Sequence, residues 1–207
     1  MWVDIRQNTD EWLDLRAGKV SGSSIGKIMA NFGKAFGDPA KKLAVNLAIE
    51  RVTGKRVEGD HYTNKHMERG HEEEPIARML YEERNFAIVQ NGGFYDNGIT
   101  GCSPDGLVDD DGLIEIKSVI PTSHYPTIKR NSYDPKYKWQ LIFNLRESGR
   151  EWIDYVSYCS SFPQESNLFI CRIEKQSISK ELEMIQRRLA EFEVMVSDII
   201  KDIREAA

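Results

Sequence analysis

The stretch that most constrains this chain is Ser103-Pro104-Asp105-Gly106, followed by Leu113-Ile114-Glu115-Ile116-Lys117-Ser118-Val119. Asp-Gly after proline is a turn signal, because proline pre-sets φ and glycine enters conformations other residues avoid. Asp109-Asp110-Asp111-Gly112 reverses the chain again, so apolar Leu107-Val108 and Leu113–Val119 are expected as strands on either side of it. Side chains two apart on a strand share a face. Glu115 and Lys117 therefore point one way and Ile114 and Ile116 the other, into apolar surroundings. Pairing of the two strands brings Asp105 toward the charged face. Two carboxylates with an ammonium beside them suit a hard divalent cation and a water that must lose a proton. Each half has a plainer reading, since Asp-Gly is a common hairpin turn and Glu-x-Lys on a strand is often a solvated ion pair. The combination, in this order and between isoleucines, is more specific than either half.

The rest of the chain supplies helices around this centre. Asn8-Thr9-Asp10 resembles an N-cap for a helix carrying Trp12, Leu13, Leu15 and Arg16. Ser21-Gly22-Ser23-Ser24 opens a short second helix through Ile25 and Met29, and its hydroxyls with Arg16 could hold an anion or simply cap the helix. Asp38-Pro39 starts a third helix that Gly54 ends; residues 55–63 are expected as loop. His66–Arg84 is helical in composition, with Met67, Ile76, Ala77, Leu80 and Tyr81 as its inner face and a kink or new start at Pro75. Of Glu72-Glu73-Glu74, at least one can turn toward a metal; His66 and His71 are expected at the surface. Phe86–Gln90 and Phe94-Tyr95 are expected as a hairpin about Asn91-Gly92-Gly93. Pro121–Lys138 is expected to be irregular, its tyrosines and basic residues suiting either nucleic-acid contact or an ordinary surface loop. Tyr137–Leu145 reads as a helix, Ile153–Tyr158 and Leu168–Ile173 as strands. Ser179–Glu205 is one amphipathic helix whose stripe from Leu182 to Ile203 is a packing face.

A length of 207 residues fits one domain with a substantial core. A net charge of −5 argues against a protein that coats nucleic acid, but not against an enzyme with its positive charge confined to a groove. Cys102, Cys159 and Cys171 stand singly, with neither disulfide nor CxxC spacing, which points to a reducing, cytoplasmic setting. No apolar run approaches membrane-spanning length.

Pro104-Asp105…Glu115-x-Lys117 resembles the PD-(D/E)xK nuclease pattern. Further segments resemble the lambda-exonuclease or YqaJ-type viral recombinase family of alkaline exonucleases. They are Trp12–Gly18 with the serine-bearing helix start, Gly70–Pro75, Cys102–Gly106 and the glutamine-bearing Tyr137–Leu145. The resemblance implies an α/β, restriction-endonuclease-like fold: a mixed central sheet flanked by helices, with a long C-terminal helix. It places one nuclease domain over 1–207, with a catalytic core at about 66–175, a helical segment at 8–54 and the final helix at 179–205. It further implies a Mg2+-dependent, processive 5′-to-3′ exonuclease on linear double-stranded DNA. Mn2+ is an alternative ion, with two ions per site. A ring of three subunits and a single-strand annealing partner are implied, in a bacterial host cytoplasm and of phage or prophage origin. Asp105, Glu115, the carbonyl of Ile116 and Glu74 would hold metal, Lys117 would orient or deprotonate water, and Gln140 would line the site. Arg16, Ser23 and Ser103 would bind a terminal 5′-phosphate. The family's arginine that completes this phosphate pocket after the motif lysine is missing, leaving His124 as the nearest candidate to bind the 5′-phosphate in its place, with Lys129 and Arg130 further on; its second helix glutamine is replaced by Ile142. A structure- or site-specific endonuclease on the same core, and a non-cleaving DNA- or recombinase-binding module, remain alternatives at this level.

Overall fold

The computed structural model describes residues 1–57 and 65–206, the side chains of 65–68 excepted; residues 58–63 of the loop expected at 55–63 and the side chains of His66 and Met67 thus lie outside the described residues. Two sheets carry the architecture. The larger has five strands in the order β3 (Val89–Asn91), β6 (Gly106–Val108), β7 (Gly112–Ser118), β8 (Trp152–Tyr158) and β9 (Leu168–Glu174). Its neighbours are antiparallel except β7 and β8, which run parallel. Parallel neighbours need a crossover connection. Here α5 (Pro121–Arg130) and α6 (Lys138–Ser148) supply it. The smaller sheet has four short strands, β1 (Trp2–Val3), β4 (Phe94–Asp96), β5 (Thr100–Cys102) and β2 (Val20–Ser21), in that order.

Alternation along β7 distributes its side chains as the sequence pattern requires. Ile114 and Ile116 join Ala77 and Tyr81 of α4 (Lys65–Asn85) in one core, with Val156 and Leu168. Leu113 faces the opposite core, with Leu141 and Leu145 of α6 and residues of α2 (Ile25–Met29), α3 (Asp38–Thr53) and α7 (Ser179–Glu205). Glu115 shares that second face. On α7, Ile185, Leu189, Phe192 and Val196 are buried and Leu182, Ile199 and Ile203 pack beside them, so its stripe is a packing face. The helix α1 (Asp10–Arg16) begins where expected, with the Thr9 hydroxyl accepting the Trp12 N–H.

Four local expectations are corrected. The helix α4 continues through Pro75 without a new start, and Ile76 is exposed rather than internal. Pro121–Lys138 is mostly ordered, as α5 and a 3₁₀ turn at Pro135–Tyr137. Proline at the first turn of α5 needs no N–H partner there, which permits the helix. The strands around Gly92-Gly93 do not form a hairpin: β3 pairs with β6 and β4 with β1 and β5. Gly93 has φ of +57°, and a Cβ on Gly92 would sit 1.8 Å from the Pro104 carbonyl oxygen. The glycines there let the chain cross between sheets against the Asp105 loop. Finally, strand β3 is three residues long, because Phe86 adopts φ of +53° and projects into solvent.

Asp154 ties α4 to the large sheet. It is 1% exposed on β8 and accepts the Tyr81 hydroxyl at 2.7 Å and both Nε and Nη2 of Arg172 at 2.8 Å. Burial, then the bond to Asp154, pushes the Tyr81 phenol well up, so it remains a donor. Arg172 is half exposed, which discounts its ion pair. Replacing Asp154 by Ala strands a buried hydroxyl and is expected to lower unfolding free energy by about 2 kcal/mol in urea titration. A change below about 0.5 kcal/mol, the level of an ordinary surface substitution, would show that this contact does not hold α4 in place.

Candidate active site

The antiparallel register of β6 and β7 sets Gly106 opposite Ile114 and so brings Asp105 beside the middle of β7. The Asp105 N–H donates to the Ile114 carbonyl at 3.1 Å, and its Oδ2 accepts the Ile116 N–H at 2.6 Å. Gln7 anchors the preceding Pro104 carbonyl at 2.7 Å. Glu115 is fully buried. Its Oε1 accepts Lys117 Nζ at 2.5 Å and the Gln140 amide, while Oε2 accepts Asn144 Nδ2 at 2.8 Å. Gln140 and Asn144 stand four apart on α6 and so share the face turned to Glu115. Glu74 of α4 lines a groove together with Asp105, Ile116 and Lys117, while Glu115, Gln140 and Asn144 are not part of its lining. This groove, about 640 Å³, is also lined by Asn8, Arg69, His71, Ser118, Ser123, Lys136 and Tyr137.

Burial is the main electrostatic fact of the site. It raises Glu115 to about 7, with the charge of Asp105 adding to the effect. Glu74 is raised to about 7 by burial and again by Asp105. Asp105 itself is raised by burial, against the pull of Lys117 and the Ile116 N–H. For Lys117, burial favours the neutral amine, but Glu115 and Asp105 outweigh it and hold the ammonium well above its ordinary range. Three carboxylates thus crowd one ammonium. Among the described residues, no three His, Cys, Asp or Glu side chains converge tightly enough to cage a metal ion. Mg2+ does not require such a cage, since it binds through one or two carboxylates and keeps its other positions for water and substrate phosphate. Asp105, Glu115, the Ile116 carbonyl and Glu74 offer only hard oxygen donors, so the residues present fit a divalent ion of that kind.

Arg16, Ser23 and Ser103, read as separate segments, meet on the other side of Asp105. Arg16 Nη2 donates to Ser23 Oγ at 3.1 Å and Ser21 Oγ at 3.2 Å, and Nη1 lies 3.5 Å from Ser103 Oγ. Trp12 Nε1 donates to the same Ser103 hydroxyl at 2.8 Å, and the Arg16 guanidinium lies 4.1 Å from the centre of the Trp12 ring. Burial lowers Arg16 to about 10. Every hydrogen-bond partner of this guanidinium among the described residues is a neutral hydroxyl, which leaves the cation short of counter-charge. The serines do not simply cap α2. Ser24 Oγ instead bonds back to both the N–H and the carbonyl of Ser21, and α2 is only five residues long.

His124 does not join this pocket. It is fully buried on α5, where Nδ1 meets Ser157 Oγ at 2.8 Å and Nε2 the Ser166 carbonyl at 2.9 Å, so both nitrogens are committed within the fold. Lys129 and Arg130 are exposed at the end of α5. Ile142 lies in the core, and Asn144, not 142, shares Gln140's face. Asn144 and Trp12 are the site residues missed in sequence; Ser21 was already among the hydroxyls grouped with Arg16. The four-residue spacing from Gln140 was the available signal for Asn144, and the same spacing linked Trp12 to Arg16, whereas the bond from Trp12 to Ser103 spans 91 residues and left no local signal.

Burial holds His124 below its ordinary pKa. The folded state therefore binds that proton less readily than the unfolded chain, and stability is complete above about 6.5 and declines as pH falls below it. His124→Gln, which cannot titrate, is expected to flatten this acid-side slope in urea unfolding between about pH 7 and 5. An unchanged slope would assign the pH dependence to other groups.

With this geometry in hand, the relatives fall into place. A family model for the YqaJ-like viral recombinase domain matches residues 11–151. The alkaline exonuclease LHK-Exo of Laribacter hongkongensis is 33% identical over 96% of this chain and 100% of its own, with a TM-score of 0.79. The same holds for its complex with dAMP. A phage-related exonuclease from Haemophilus somnus 129PT shares the fold, at a TM-score of 0.67 and 17% identity over 89% of this chain and 96% of its own. A comparison with curated proteins found no match. The mixed sheet, its flanking helices and the long α7 match the nuclease fold of the alkaline exonuclease. The chain belongs to the family of YqaJ-like viral recombinase domains.

Proposed function

We propose that this protein is a hydrolase that digests one strand of linear double-stranded DNA from its 5′ end, with Mg2+ as cofactor. The observation that carries the reading is adjacency: the carboxylate–lysine cluster and the hydroxyl-lined guanidinium of Arg16 are joined by Ser103-Pro104-Asp105. A terminal phosphate held by Arg16, Ser21, Ser23 and Ser103 would leave the next phosphodiester beside Asp105 and Glu115. Family membership and the likeness to an alkaline exonuclease support the reaction class, and the dAMP complex of that relative agrees with a mononucleotide product.

In this mechanism Asp105, Glu115 and the Ile116 carbonyl would hold the ion, with Glu74 assisting; Mn2+ would be an alternative, with two ions per site. When bound, the divalent ion supplies Lewis acidity at the scissile phosphate. Lys117 orients the attacking water, and it accepts a proton only when Glu115 and Asp105 no longer hold it as an ammonium. Gln140 and Asn144 keep Glu115 in place. The terminal phosphate fixes register, so only the end nucleotide reaches the carboxylates. A structure-specific endonuclease would have no use for the Arg16 pocket. A net charge of −5 agrees with positive charge confined to the site, and with a ring of three subunits enclosing the duplex for processive digestion. The 3′ strands left behind would pass to a single-strand annealing protein in a bacterial cytoplasm. No described helix is long and apolar enough to cross a membrane.

Asp105→Ala and Glu115→Ala are each expected to lower hydrolysis of linear duplex at least about a thousandfold in gel assays, since each removes charge stabilisation worth several kcal/mol. Lys117→Arg is expected to fail as well, because a guanidinium keeps its proton and has a different shape. Near-normal turnover by either alanine variant would sink the metal site. For the phosphate pocket, a 5′-phosphorylated duplex should be digested about tenfold to a hundredfold faster than its 5′-hydroxyl twin, the range expected of one charged hydrogen bond. Arg16→Ala should erase most of that difference. Equal wild-type rates on both ends, or degradation from the 3′ terminus, would refute end recognition and leave the nuclease core standing.

A further inference from the structure

We infer that Asn144 is a positioning residue for Glu115 and that Gly22 is its seat. The inference rests on the reading of Glu115 as a metal ligand. Glu115 Oε1 already accepts two donors, Lys117 at 2.5 Å and Gln140. Oε2 accepts one, Asn144 at 2.8 Å, so a lone pair on that oxygen is left for a cation. Asn144 therefore sets the direction in which the ligand oxygen faces. Paired with an ammonium, the carboxylate can only accept, which forces the Asn144 amide to turn its nitrogen inward and its oxygen outward.

That orientation leaves a visible penalty. Asn144 is 1% exposed and its Oδ1 is buried without a hydrogen-bond partner. A buried acceptor left unmade is destabilising, and Leu or Met would fill the same space without one. The donor end must justify the orphaned acceptor, and what it touches is Glu115. Oδ1 abuts Gly22, in the serine loop of the Arg16 pocket: a Cβ on Gly22 would lie 2.6 Å from it, whereas Gln140 Cγ would be at an ordinary 3.5 Å. Gly22 thus has no side chain because Asn144 occupies the space, and one methyl there would push the amide toward Glu115. Through Asn144 the serine loop is linked to Glu115 on β7.

The test uses the full chain and Mn2+ alone, titrated by calorimetry, beside steady-state kinetics on 5′-phosphorylated duplex. Asn144→Ala is expected to weaken Mn2+ binding about tenfold or more and to lower kcat by a similar factor, the usual range for a residue that orients a ligand. KM for the duplex should stay within about twofold, because Asn144 touches no part of the phosphate pocket hydroxyls. Gly22→Ala should also weaken Mn2+ binding, but add nothing in the Asn144→Ala background, where the clash is gone. Cooperative melting identifies the folded fraction, and if Asn144→Ala does not fold, Gly22→Ala decides alone. Wild-type Mn2+ affinity in the folded variants, or additive losses in the double variant, would overturn the inference while loss of binding in Glu115→Ala keeps the metal reading. Unaltered Mn2+ binding by Glu115→Ala would overturn both.

Discussion

Everything in this molecule bears on one buried carboxylate. Glu115 sits in the middle of the large sheet, out of water, and burial alone would strip its charge. Lys117 from the same strand, and Gln140 and Asn144 from α6, keep it hydrogen-bonded. The helix must therefore lie across that face of β7, and the parallel β7–β8 pair places it there as part of the crossover. The same burial that makes Glu115 expensive makes it responsive: a cation arriving beside it meets little competition from solvent.

The two sides of Asp105 are complementary. One side holds three carboxylates against one ammonium, the other a guanidinium among hydroxyls. Each is out of balance alone, the first by excess negative charge and the second by a cation without a carboxylate. On the proposed reading, a phosphodiester end with its metal ion would supply what both lack. This arrangement explains how an acidic protein handles a polyanion, because attraction is concentrated at the point of chemistry rather than spread over the surface.

Close approaches of backbone carry the assembly. Gly92 meets the Pro104 carbonyl, Gln7 holds that carbonyl from the N-terminal segment, and Gly22 meets the Asn144 amide. Two of these contacts, Gln7 to Pro104 and Gly22 to Asn144, join segments about a hundred residues apart in the chain. Asp154 does the same for α4, which carries Glu74.

How much of this was legible in the sequence depended on distance along the chain. Asp105, Glu115 and Lys117 were readable because strand alternation and a tight turn act over a few residues, and the stripe of α7 because its period repeats. Arg16 and Ser23 were grouped by the helix-start pattern and Ser103 was added through family likeness alone; the meeting of all three at one guanidinium is a tertiary fact. His124 was read as a phosphate ligand from its place near the motif, yet α5 turns it inward to Ser157 and Ser166. The glycines at 92–93 divided two sheets instead of closing a hairpin. By itself the sequence determined which residues share a face, since backbone periodicity is local. Only the tertiary structure decided what each face meets, because burial, and the charge balance it imposes on Glu115, exists only when distant segments close around it.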